Sequence, residues 1–222
     1  MAETSEKQYR DNQSLKADIL IKIAKIASST LELREIIDNI LEVIADKLNK
    51  DLCSICLLKP ENSVICIEAS KGMGKENVNV FCIKDEDEII KRVFKEMQPL
   101  IVEDINNDAE IKKILNPESC HMLSLLALPI VRGNTPLGIL MVQTRHSHKY
   151  SQNEIDLLTI ISHNISAAIL NADLYRSVKA QLDELTVIHE IGKAITSILN
   201  MEDLLPHICE EVSKVFNVKA AY

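Results

Sequence analysis

Six cysteines (53, 56, 66, 82, 120 and 209) and the pair His146-x-His148 are the residues of this 222-residue chain best suited to do chemistry. Thiols can ligate metals, form disulfides or, as thiolates, act as nucleophiles. Cys53 and Cys56 have the CxxC spacing of metal and redox sites. They stand in the alternating run Leu52-Cys-Ser-Ile-Cys-Leu-Leu58, which reads as a strand. Residues three apart on a strand point to opposite faces, so these two cannot close on one metal. The six cysteines together read as free, small hydrophobes rather than a disulfide framework, as suits a cytosolic chain. His146 and His148 could share a metal from one strand face, but no third ligand is visible and a solvated turn is the better reading. His163 has no ATP-binding sequence near it and reads as structural. Gly72-x-Gly74 lacks the strand–turn–helix context of a phosphate cradle.

The length fits one domain plus extra helical material, and 46% apolar residues are enough for a packed core. The net charge of -8 argues against a nucleic-acid surface, which needs a basic stripe. The N-terminus has no apolar signal-peptide core, and the most apolar stretch, Met122 to Val131, is about half a membrane span. The expectation is a cytoplasmic protein with neither nucleic acid nor membrane as partner. No cofactor type is specified.

Apolar residues at helical spacing predict a helix from Ser14 and a second one through Ile36, Ile37, Ile40, Leu41, Ile44 and Leu48, with residues 1–13 a disordered tail. Runs 52–59 and 63–69 flank Pro60-Glu61-Asn62 and predict a hairpin. A short strand is expected at 77–83, a helix from Asp85 to Met97, a strand from Pro99 to Glu103 and a helical turn near 109–114. Strands 122–132 and 137–145 are continuous apolar runs, which require cover on both faces of the sheet. A helical layer covers one face, and a lid over the other would enclose a ligand pocket. Ser151-x-x-Glu154 is a capping box opening a long helix.

Along that helix Asn164, Asn171, Val178, Leu185, Gly192 and Leu199 step by seven, with Ala168, Tyr175, Leu182 and His189 between them. This imperfect heptad predicts a two-stranded coil over 176–199, with Val178, Leu182 and Leu185 at a homodimer interface. The end of the chain also repeats its start. Ile191, Lys193, Ser197, Leu199, Ile208, Glu210 and Asn217 match Ile23, Lys25, Ser29, Leu31, Ile40, Glu42 and Asn49 at a constant offset of 168 (191 − 23 and 217 − 49). Residues 200–222 therefore read as the truncated start of a second domain, whose uncovered apolar face would also favour a homodimer.

The segment Ser124-Leu-Leu-Ala-Leu-Pro-Ile-Val-Arg-Gly-Asn-Thr-Pro-Leu-Gly-Ile-Leu-Met-Val142 resembles the GAF domain family. Pro99-Leu-Ile-Val-Glu-Asp104 and Ala168-Ile-Leu-Asn-Ala-Asp-Leu-Tyr175 are similar to further parts of it. The resemblance covers about 20–175, within a domain read as 14–175, and a second such domain would start near 184. It implies an α+β fold: a central antiparallel sheet with a helical bundle on one face, a ligand pocket on the other and a long C-terminal signalling helix. The expected function is a regulatory, non-catalytic module that binds a small molecule and signals through dimeric helices to an effector. Candidate pocket residues are Ile83, Phe94, Asp104, Ser119, Cys120, Ser124 and Leu126. The cyclic-nucleotide motif of some relatives is degraded here, at Gln143-Thr144, Tyr150 and Glu154-Ile155. Cys120-His121 stands too near Pro129 for a bilin attachment site. The alternatives are a ligand-free dimerisation scaffold, or a thiol-based redox sensor or methionine sulfoxide reductase-like enzyme, which the resemblance allows if Cys66, Cys82 and Cys120 converge on the pocket from a strand, a strand end and a loop.

Overall fold

In a computed structural model of the chain the described residues are 2–29, 32–59, 64–72, 82–84, 87–115 and 121–215. They fall into two compact units, Met1–Ala172 and Asp173–Tyr222.

The first unit opens with α1 (Ala2–Ala27) and α2 (Leu33–Leu48). Helix α1 thus includes the stretch expected to be a disordered tail. That stretch holds no Gly or Pro and is rich in Glu, Lys, Gln and Arg, so local propensity sustains a helix there without a periodic apolar face. Ile36, Ile37, Ile40, Leu41 and Ile44 of α2 are buried as expected, and the helix stops at Asn49, whose φ of 49° is left-handed.

A six-stranded antiparallel sheet follows, built from β1 (Leu52–Lys59), β2 (Val64–Lys71), β3 (Cys82–Lys84), β4 (Leu100–Val102), β5 (Ser124–Arg132) and β6 (Thr135–Thr144). Its spatial order is β3-β2-β1-β6-β5-β4. Helix α3 (Glu88–Glu96) leads from β3 to β4, and a 3-10 turn (Ile105–Asn107) with α4 (Ala109–Leu115) leads from β4 towards β5. Helix α5 (Gln152–Val215) closes the chain of elements.

Two apolar cores lie on the two faces of the sheet. On the bundle side, α1, α2 and the domain part of α5 (Leu157, Leu158, Ile161, Ile165) pack against Leu126, Leu128 and Ile130 of β5 and Leu140 and Val142 of β6. On the other side, Ile89, Ile90 and Val93 of α3 and Ile111 and Leu115 of α4 pack against Leu125, Ala127, Ile139 and Met141. This double cover is why β5 and β6 are apolar at nearly every position. Cys53 belongs to the bundle-side core and Cys56 to the other, so the CxxC is split across the sheet as strand geometry requires.

The cysteine expectation needs one correction. Cys66 and Cys82 are disulfide-bonded, their Cα atoms 4.1 Å apart. They are direct cross-strand partners of β2 and β3, and so short a separation marks a non-hydrogen-bonded pair, where opposed side chains come closest. Cys53 and Cys56 are free and buried, and burial pushes both thiols up to about 12.

The repeat also folds differently from its first copy. Helix α1 ends at Ala27 and α2 starts at Leu33, but the equivalents 195 to 201 (27 + 168 and 33 + 168) lie inside the single helix α5. Residues 194–200 contain no Gly or Pro to stop it.

Candidate functional site

The turn between β6 and α5 is fixed by a polar network that the sequence does not announce. The capping box is formed: Ser151 N donates to Glu154 Oε2 (3.0 Å), and Glu154 N donates to Ser151 Oγ (3.3 Å). Lys50, between α2 and β1, is buried, and its Nζ donates to Glu154 Oε1 (2.8 Å) beside His148 Nε2 (3.1 Å). The same ammonium lies 5.3 Å from the centre of the Tyr150 ring, within cation–π range. Burial alone would raise the Glu154 carboxyl, but the hydrogen bonds from Lys50 and Ser151 outweigh it and hold it down at about 2.

Ser124, a candidate pocket residue only by its place on β5, belongs to this network's interior. Its Oγ lies 2.6 Å from Thr144 Oγ1 and 2.9 Å from the Tyr150 hydroxyl, which donates to the Val142 carbonyl. Ser124 and Leu126 are fully buried and face the bundle. Phe94 is half-buried on α3 against the opposite core. These three therefore share no pocket, and Ser124 and Leu126 do not line one with Phe94. The even-numbered positions of β5 face the bundle, and its odd ones, Leu125 and Ala127, face α3 and α4.

Asp104 does a local job. Its Oδ1 accepts from Asn106 N (2.9 Å) and caps the 3-10 turn. It also lines an open cleft of about 380 Å³ with Ile101, Val102, Glu103, Asn107, Asp108 and Ser147. Ile83 sits on β3 opposite Ile65, and its side chain is outside the described residues, as are Ser119 and Cys120 entirely.

On the α3 side, three polar positions interrupt an otherwise apolar floor. Ser54 pairs with Met141 of β6 and Ser70 of β2, and Gln143 pairs with Leu125 of β5. Cross-strand partners project to the same face, so Ser54, Ser70 and Gln143 share the face of Met141 and Leu125. Ser54 and Gln143 are buried. Ser70 Oγ is buried without a hydrogen-bond partner among the described residues. Such an atom is costly unless something else satisfies it. The signal was a lone Ser or Gln in each apolar run, Cys-Ser-Ile and Val-Gln-Thr.

The family model described as "GAF domain" matches residues 30–170, well over half of the chain. The chain belongs to the GAF domain family. Among solved structures, this GAF domain is similar to that of a phosphoenolpyruvate-protein phosphotransferase from Acinetobacter. The two share 22% identity and a TM-score of 0.64, over 71% of this chain and 94% of that one. The corresponding domain from Coxiella burnetii gives 21% and 0.66 over 73% and 96%. Free methionine-R-sulfoxide reductase from Neisseria meningitidis, solved with its substrate, gives 10% and 0.63 over 73% and 92%. At these identities the likeness is one of fold. No curated protein matches the chain.

In the second unit, the side chains described along α5 are open to solvent. Leu174, Tyr175, Val178, Leu182, Leu185, Val187, Ile188 and Ile191 are each between 53% and 72% exposed. Ala168, which shares the heptad spacing but precedes the coil expected over 176–199, is buried in the domain core.

Proposed function

We propose that this GAF domain is a cytoplasmic regulatory module that binds a small molecule and passes the event through paired α5 helices to an effector, without catalysis. The ligand half of the reading rests on the Ser70 hydroxyl, which has no partner among the described residues and shares its sheet face with Ser54 and Gln143. These groups carry no formal charge, so they suit a neutral, hydrogen-bonding group on a largely apolar body. The relay half rests on the exposed apolar positions of α5 at coiled-coil spacing, with Val178, Leu182 and Leu185 in the seam and a second copy as the partner. By length and composition α5 would pass as a membrane span. Its apolar residues up to Ile169 are largely buried in the domain, which favours the reading of a core helix. The densely apolar packing under α3 and α4 favours, as the second reading, a dimerisation scaffold that needs no ligand.

The pairing of α5 is tested by the double substitution Val178→Asp with Leu185→Asp. Two charges per chain in the seam cost enough to lower dimer affinity by roughly a hundredfold or more, while the domain's own melting transition stays in place. Light scattering after size exclusion reads the mass directly. A wild-type chain that is monomeric at concentrations on the order of tens of micromolar removes the relay.

A further inference from the structure

The geometry points to the Cys66–Cys82 pair as a reversible thiol-exchange site, whose co-substrate is a low-molecular-weight thiol or its disulfide and whose closure latches β3 onto the sheet. It goes beyond the ligand reading and uses none of the residues assigned to that site.

Three observations support it. First, among the described residues β3 is the edge strand of the sheet and pairs only with β2, through Val64–Lys84, Ile65–Ile83 and Cys66–Cys82. A three-residue edge strand is held weakly by backbone pairing, so a covalent tie across its first residue decides much of its order. Second, the two residues differ in exposure: Cys82 is exposed and Cys66 is buried. Exchange depends on approach to the attacked sulfur, and exposed disulfides are the labile ones. Third, Cys53 and Cys56, the free thiols among the described residues, are buried with pKa values pushed up to about 12. They are poor competitors for the same reagents.

A thiolate attacks Cys82 Sγ, the S–S bond breaks, and its electron pair departs on Cys66 Sγ, which takes a proton from water. The mixed disulfide left on Cys82 is displaced by a second thiolate, giving the small-molecule disulfide and a Cys82 thiol. Two external thiols are oxidised and the protein disulfide is reduced to two thiols. Oxidation runs the same steps in reverse.

Opening the bond lets β3 fray. Helix α3 starts at Glu88, a few residues beyond Lys84, and its Ile89, Ile90 and Val93 belong to the core on the ligand side. Thiol status would thus act on the edge that adjoins the proposed ligand face.

The experiment uses glutathione as the probe, with intact-mass and peptide-mass readouts on the full chain. After exposure to oxidised glutathione the wild type carries an internal Cys66–Cys82 bond. The Cys66→Ser variant takes up glutathione on Cys82, whereas the Cys82→Ser variant leaves Cys66 unmodified. Millimolar reduced glutathione opens the wild-type bond and speeds amide exchange at 64–66 and 82–84 by about tenfold or more, with β1 and β6 unaffected. This wild-type readout stands whether or not the serine variants fold. Cysteines 66 and 82 remaining reduced in oxidised glutathione would overturn the proposal. So would a bond that resists reduced glutathione, or equal adducts at both sulfurs.

Discussion

Replacing Lys50 with methionine lowers the free energy of unfolding at neutral pH by about 2–4 kcal/mol, the cost of breaking one side of a largely buried pair. Methionine preserves most of the apolar stem and removes only the ammonium. The Glu154 carboxylate then keeps its Ser151 bonds but loses its 2.8 Å partner, and His148 Nε2 loses its neighbour at 3.1 Å. The pH profile identifies the cause. In the folded protein the Glu154 carboxyl is depressed from 4.5 to about 2, so its contribution is fully present above pH 4.5 and is lost as pH falls towards 2. In Lys50→Met that acid slope flattens, because the carboxyl returns towards its ordinary range. Urea midpoints measured from about pH 7 down to about pH 2 on both proteins show the difference. Equal acid slopes would mean that Lys50 does not hold the carboxylate.

The second large effect comes from a single carbon. Gly138 lies in β6 against β1, and a Cβ there would stand 2.2 Å from the Cys56 carbonyl oxygen and 3.2 Å from its carbonyl carbon. Both are backbone atoms in the central pair of the sheet and cannot swing aside. Gly138→Ala therefore separates β1 from β6 locally, with an expected loss of about 3–5 kcal/mol or a failure to fold. Gly192→Ala has the opposite sign. A Cβ at Gly192 meets nothing within 4 Å, and α5 gains about 0.5–1 kcal/mol from the better helix former. Thermal melts followed by circular dichroism compare the two, and a Gly138→Ala protein that melts with the wild type would refute the close approach of these strands.

The contrast between those glycines reflects what a sequence can and cannot reveal. The order of strands and helices is legible, because each element carries its own periodicity and stop signals. The hairpin β1–β2, the capping box at Ser151 and Glu154 and the apolar pair β5–β6 all stand where the residues place them. The facing of β5 is not legible. A run such as Leu125-Leu-Ala-Leu128 carries no alternation when both faces are covered, so its phase is set by pairing with β6 and by the bundle. That is why the residues alone do not assign Ser124 and Leu126 to the bundle face and do not single out Ser54, Ser70 and Gln143.

Long-range pairs are hidden for a related reason. Lys50 meets His148 and Glu154 across separations of 98 and 104 residues, and each looks like an ordinary surface charge in its own segment. Cys66 and Cys82 meet through the register of β3 on β2, which the residues of either strand alone do not specify. In α5 the repeat suggests a break that local propensity does not enforce, and the helix continues past it.

A native mass spectrum of the purified protein, set against its denatured mass, tests the central claim most directly. The expected result is a dimer heavier than twice the chain mass by a bound small molecule that is lost on denaturation. A monomer at the bare chain mass, at concentrations where coiled coils pair, would contradict both the paired helices and the occupied ligand face.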